Sequence, residues 1–81
     1  RPESWTRSDP KTHLQESAAR RGLPAPVYDL VAQGGPGHAP RFTVRVSVGA
    51  WSAEAEGPTR KGAEGEAARR LLERLGTLTD L

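Results

Sequence analysis

The clearest pattern along the chain is an alternation in which Phe42, Val44, Val46 and Val48 are apolar and the interleaved Arg41, Thr43, Arg45 and Ser47 are polar. A period of two puts one set on each side of a pleated strand, so this segment predicts a β-strand with one buried and one wet face. Trp51, Ala53 and Ala55 alternate with Ser52, Glu54 and Glu56 in the same way. With Gly49-Ala50 as a tight turn between them, a third strand antiparallel to the second is expected. Upstream, Val27 to Ala32 reads as a first strand, reached through Pro24 and Pro26, which hold their preceding residues extended. Gln33 to Pro40, rich in Gly and Pro, reads as a long loop between strands.

The pattern changes to a helical one at both ends. Ala63, Ala67, Leu71 and Leu75 recur every fourth residue, with Ala68 and Leu72 widening the stripe, and Thr59 after Gly57-Pro58 is a candidate N-cap. The first helix is expected from Pro10 to about Arg21: Asp9 can cap it, Pro10 suits its first position, and Gly22 supplies a left-handed stop. On it, Leu14 and Ala18 share one face and Thr12, Gln15, Glu16 and Ala19 another. Residues 1–8 read as a linker or lead-in whose Trp5 could fold back, residues 9–75 as the domain, and Gly76 to Leu81 as a frayed C-terminal tail. The expected architecture is α+β, in the order α-β-β-β-α, with two helices packed on one face of a three-stranded antiparallel sheet.

Composition narrows the function. With 81 residues there is room for one small domain. With two Trp, one Tyr and one Phe, its core must be built largely from Ala, Val and Leu. The absence of cysteine removes disulfides, thiolate metal sites and cysteine nucleophiles, and points to an intracellular, cytoplasmic protein. No apolar run approaches the roughly 18 residues of a membrane span, and the first residues lack a signal-peptide pattern, so no membrane partner is expected. Twelve cationic against ten acidic side chains give a net charge of +2, too small for a non-specific polyelectrolyte binder. Any nucleic-acid binding must therefore rest on local charge placement. The acidic residues form no paired-carboxylate constellation and no Ser-His-Asp set converges, so the chain is expected to carry no catalytic residue. His13 and His38 have no spaced partners for a metal, and no cofactor is expected.

Four separated strings carry a resemblance. Asp9-Pro10-Lys11-Thr12-His13-Leu14-Gln15-Glu16, then Leu23-Pro24-Ala25-Pro26-Val27-Tyr28, then Gly35-Pro36-Gly37-His38 with Phe42, and finally Gly57-Pro58-Thr59-Arg60-Lys61-Gly62-Ala63-Glu64 stand in that order. Together with the element order, over residues 9–75, they resemble the double-stranded-RNA-binding domain that ends bacterial ribonuclease III. In the last string the family usually has Gly-x-Ser-Lys-Lys-x-Ala-Lys or, in the ribonuclease III branch, Ala-Glu. Here Thr59 stands for Ser and Arg60 for Lys, Ala55 occupies a position often held by Gly, and Gly62 and Gly65 each weaken the first turns of the helix by roughly 1 kcal/mol relative to Ala.

The resemblance implies a binder of double-stranded RNA with little sequence preference, the substrate-binding domain of a ribonuclease III-like enzyme. It places Thr12, Gln15 and Glu16 on one minor groove, His38 on a second about one turn away, and Arg60 and Lys61 on the phosphates between. The chemistry agrees, because an A-form duplex displays 2′-hydroxyls and phosphates and hides its base edges. Arg60 and Lys61 start a helix whose positive end should repel cations, which an incoming phosphate would explain. Read without the resemblance, the same polar face of the first helix is an ordinary solvated surface, and Tyr28, Phe42 and the valines are core residues. Cleavage and homodimerisation would belong to a catalytic domain that these residues do not contain. The competing expectation is a protein-pairing or dimerisation module of the same fold that has lost RNA binding. A third places the RNA-binding domain in another parent, such as an RNA-editing enzyme, a kinase or a ribosome-associated protein.

Overall fold

The computed structural model describes residues 9–35, 37 and 39–79, so the lead-in with Trp5 lies outside the described residues. The elements are α1 (Pro10–Arg20), β1 (Val27–Gly34), β2 (Arg41–Val48), β3 (Trp51–Gly57) and α2 (Arg60–Thr79). The strands form one antiparallel sheet in the order β1-β2-β3. This is the expected α-β-β-β-α arrangement.

Both helix starts follow from their caps. The Asp9 carboxylate accepts from the backbone N–H of Thr12 at 3.3 Å, with Pro10 at the first helical position. Thr59 Oγ1 accepts from the N–H of Gly62 at 2.9 Å, and the Thr59 carbonyl accepts from Ala63 N at 3.0 Å. Each cap satisfies a donor that the helix cannot pair internally. Gly22, with φ of 72°, turns the chain after α1. The β2–β3 hairpin closes on two residues with a left-handed φ of 60° at Gly49 only, the geometry of a turn that takes Gly at its first central position.

Leu14 and Ala18 of α1, Val46 and Val48 of β2, Ala55 of β3, and Ala67, Ala68, Leu71 and Leu75 of α2 form one buried cluster. Leu14, Leu71, Val44, Val46 and Val48 have no exposed surface. The period-two and period-four apolar sets thus face each other across a core of Ala, Val and Leu. Its one buried polar side chain among the described residues is Ser17, whose hydroxyl accepts from Arg21 Nε at 3.1 Å.

Two boundaries differ from the sequence reading. β1 runs on through Gln33 and Gly34, which pair with Phe42 and Arg41. A register shift between Leu30 and Ala32 bulges Val31 and lets the glycine-containing end continue the ladder. Pairing with β2, which local sequence cannot reveal, overrides the low strand propensity there. At the other end, α2 does not stop at Leu75 but continues to Thr79. Buried Leu75 anchors this turn, and a single Gly76 costs only about 1 kcal/mol in a helix already formed.

Candidate nucleic-acid interface

The first turns of α1 and α2 and the start of β1 meet around a groove of about 400 Å³ lined by Lys11, Thr12, Gln15, Pro26, Tyr28 and Lys61, with Asp9 at its rim. Residues 46 to 50 positions apart in sequence are brought together because α1 packs beside α2, Pro10 facing Gly65. A Cβ at Gly65 would stand 3.7 Å from the Pro10 ring, so the helix starts lie within van der Waals reach.

Each groove residue has a definite set of partners. The Thr12 hydroxyl donates to Asp9 Oδ2 at 2.5 Å, which leaves its oxygen as an acceptor facing the groove. The same bond, and that from the Thr12 N–H, hold the Asp9 carboxyl below its ordinary range. Gln15 is exposed and offers an amide donor and acceptor. Lys11 Nζ lies 2.7 Å from Glu64 Oε1 and 4.6 Å from the centroid of the Tyr28 ring. Glu64 also faces Arg60, whose Nε is 3.4 Å from Oε2. The bond from Lys11 is the main reason that the Glu64 carboxyl is held low. Lys61 is exposed, and no ion pair engages it among the described residues.

The structure therefore brings Thr12, Gln15 and Lys61 into one groove and places Arg60 beside it, on the far side of Glu64. Glu16 is not in this groove. It is exposed on α1 beside a separate depression shared with His13, Ser17, Arg20 and Leu72. His38 lies outside the described residues. Its flanks Gly37 and Ala39 are exposed, and the turn is tight: Gly35 has φ of 90°, and a Cβ there would sit 2.6 Å from the Ala39 carbonyl oxygen. This loop leaves the sheet at the end where Phe42 pairs with Gly57, the residue from which the chain turns into α2. The sequence marks Glu64 as a residue the ribonuclease III resemblance expects and as unfavourable to phosphate, but not its pairing with Lys11. The two are 53 residues apart, and no local pattern joins them.

The outer face of the sheet has a different character. Arg41 pairs with Glu56 at 3.0 Å and Arg45 with Glu54 at 2.6 Å, so its cations are neutralised locally. On α2, Arg69 is held between Glu66 and Glu73. Among the described residues no three His, Asp or Glu side chains gather as a metal site, and no helix is long and apolar enough to cross a membrane.

Solved structures share this arrangement. Arabidopsis HYL1, whose structure bears on miRNA processing, matches with a TM-score of 0.71 and 35% identity, over 83% of this chain and 96% of that one. The second double-stranded-RNA-binding domain of DRB4 matches with a TM-score of 0.64 and 34% identity, over 82% and 93%. The fold is thus that of a double-stranded-RNA-binding domain. The family model of the double-stranded RNA binding motif matches residues 10–75, and the chain belongs to that family. Among curated relatives, ribonuclease 3 of Azorhizobium caulinodans is 52% identical over 73 residues, 89% of this chain, and that of Caulobacter vibrioides 54% over 69 residues, 84% of it. The chain spans 31% and 30% of the length of these two proteins.

Proposed function

We propose that the chain binds double-stranded RNA by the shape of its A-form duplex and serves as the substrate-binding part of a cytoplasmic ribonuclease III-like enzyme. The observation that carries this reading is the groove in which Thr12 and Gln15 stand across from Lys61 at the start of α2. A hydroxyl and an amide suit 2′-hydroxyls of a minor groove, while a cation beside unpaired helix N–H groups suits the adjoining phosphate. Glu16 extends the same contact along the exposed side of α1. Arg60 supports the phosphate contact, and His38 with its loop reaches a second minor groove. Cleavage and dimerisation are functions of the parent enzyme's other domain.

The charge pattern supports a local mode of binding. With the outer-face arginines paired to glutamates and a net charge of +2, Lys61, which has no ion pair among the described residues, stands in the hydroxyl-reading groove. Exposed Val27 and Val31 on edge strand β1 favour a second reading, a protein-pairing surface.

A titration against a paired RNA of about 20 base pairs and the same sequence as DNA, at two salt concentrations, separates these readings. Saturable, salt-sensitive binding to RNA with little to DNA is expected. The change Lys61→Ala should weaken binding on all duplexes alike and lower the salt slope by about 1. An unchanged slope would remove Lys61 from the interface. Absence of binding to either duplex, with mass rising with concentration, would establish protein pairing instead.

A further inference from the structure

Lys11 stands in the proposed RNA groove, yet its charge is already engaged. Its ammonium contacts Glu64 Oε1 at 2.7 Å and lies over the Tyr28 ring at 4.6 Å. Glu64 belongs to α2 and Lys11 to α1, so the pair crosses the junction of the two helices. The Glu64 side chain is only 16% exposed, against 41% for Lys11 and 55% for Arg60, so the carboxylate sits beneath the cations it serves. A partly buried carboxylate is weakly screened by salt, and at this distance it competes strongly with a phosphate for the ammonium.

We propose that Glu64 limits the affinity of the RNA-facing site by holding Lys11 in an ion pair across the two helices, so that Lys11 lines the groove without being available to phosphate. This rests on the RNA-binding reading above. Within it, Glu64 is a positioning residue that keeps the salt-dependent, shape-blind part of binding small. Thr12, Gln15 and Lys61 are then left to carry recognition. A domain that presents substrate for cutting and then lets the products go benefits from such a ceiling on charge attraction.

The test compares the wild-type chain, Glu64→Gln, and the double variant Lys11→Met with Glu64→Gln. Each is titrated with the RNA duplex of about 20 base pairs at about 50 and 200 mM salt. Glu64→Gln is expected to bind several-fold tighter at the lower salt, with a salt slope steeper by about 1, because one further cation reaches phosphate. The double variant is expected to lose most of that gain in affinity and slope, because the cation that Glu64 held closest is gone, while Arg60, which also faces Glu64 at 3.4 Å, is equally released in both variants. A merely structural role for the pair would not produce this steepening and reversal. Thermal melts of all three confirm that the proteins compared are folded.

If wild type binds RNA and Glu64→Gln binds with the same slope or more weakly, the inference fails while the RNA reading stands. A double variant as tight as Glu64→Gln also overturns it, since the gain would not pass through Lys11. If no protein in the set binds RNA, both fall together.

Discussion

Tyr28 is the only tyrosine in the chain, and its surroundings are unusual for a residue at the start of a strand. Lys11 covers its ring, and its hydroxyl is buried without a hydrogen-bond partner among the described residues. Burial, reinforced by the nearby Glu64 and Asp9 carboxylates, pushes its pKa up to about 12. The native state thus holds the phenol proton more tightly than the unfolded chain, where tyrosine titrates near 10. Stability from this group is full below about pH 10 and is lost as pH rises toward 12. The single phenolate absorbance should titrate near 12 in the folded protein, and the melting temperature should fall above pH 10. A native midpoint near 10 would contradict the buried hydroxyl. Because an unpaired buried hydroxyl costs about 1–3 kcal/mol, Tyr28→Phe should melt no lower than wild type at neutral pH and lose less stability in alkali.

The carboxylates act at the opposite end of the pH scale. Hydrogen bonds from Lys11, Arg41 and Arg69 hold Glu64, Glu56 and Glu66, respectively, below the ordinary glutamate value. A lowered native pKa means stability present above the unfolded value and lost as pH falls below it. Melting temperature should therefore drop below about pH 4. Glu64, the least exposed of the three, should account for a visible share, so that Glu64→Gln shows a shallower acid decline. An identical decline in the variant would show the pair to be energetically silent. At this scale the caps were legible: Asp9 and Thr59 act on donors three residues away. The Lys11–Glu64 pair was not, because its members meet only when the helices do.

Among the elements, the edge strands show how a small sheet avoids adding strands. β3 is one edge, and two α2 arginines reach over it: Arg70 donates to the Glu54 carbonyl at 2.9 Å and Arg74 to the Ser52 carbonyl at 3.1 Å. These occupy two acceptors on alternate residues that an incoming strand would use. From sequence these arginines needed no special role, since charged residues on the wet side of a helix are ordinary. Changing both to Ala should remove about 1 kcal/mol, a fall of roughly 4–8 °C in melting temperature. It should also make mass rise with concentration in sedimentation. A variant as stable and as monodisperse as wild type would show that the arginines do not guard this edge. The β1 edge is blunted differently, by the bulge at Val31. That bulge was invisible beforehand, because it records how β1 must adjust to β2 and not a preference of its own residues.

For the whole molecule, the proposed binding through the α1–α2 groove together with the β1–β2 loop would require a duplex long enough to present both minor grooves, about 16 base pairs. Affinity should climb steeply with duplex length up to that size and then rise only with the number of available positions. A series of duplexes from about 8 to 20 base pairs checks this, and equal affinity at half the length would mean that one contact region binds alone. The sequence by itself determined the element order, the helix caps, the hairpin turn and the buried faces of β2 and of both helices, because these depend on periodicities of two and of about four and on bonds spanning a few residues, whereas Trp51, on the apolar side of the β3 alternation, is exposed. It also marked Thr12, Gln15, Glu16, His38, Arg60 and Lys61 as candidates. Only the tertiary structure decided that Thr12, Gln15 and Lys61 line one groove that does not include Glu16, that Glu64 engages Lys11 beside Tyr28, and that Arg70 and Arg74 cover β3. Each of those facts is a distance between residues remote in sequence, and such distances exist only once the two helices have packed against each other and the sheet.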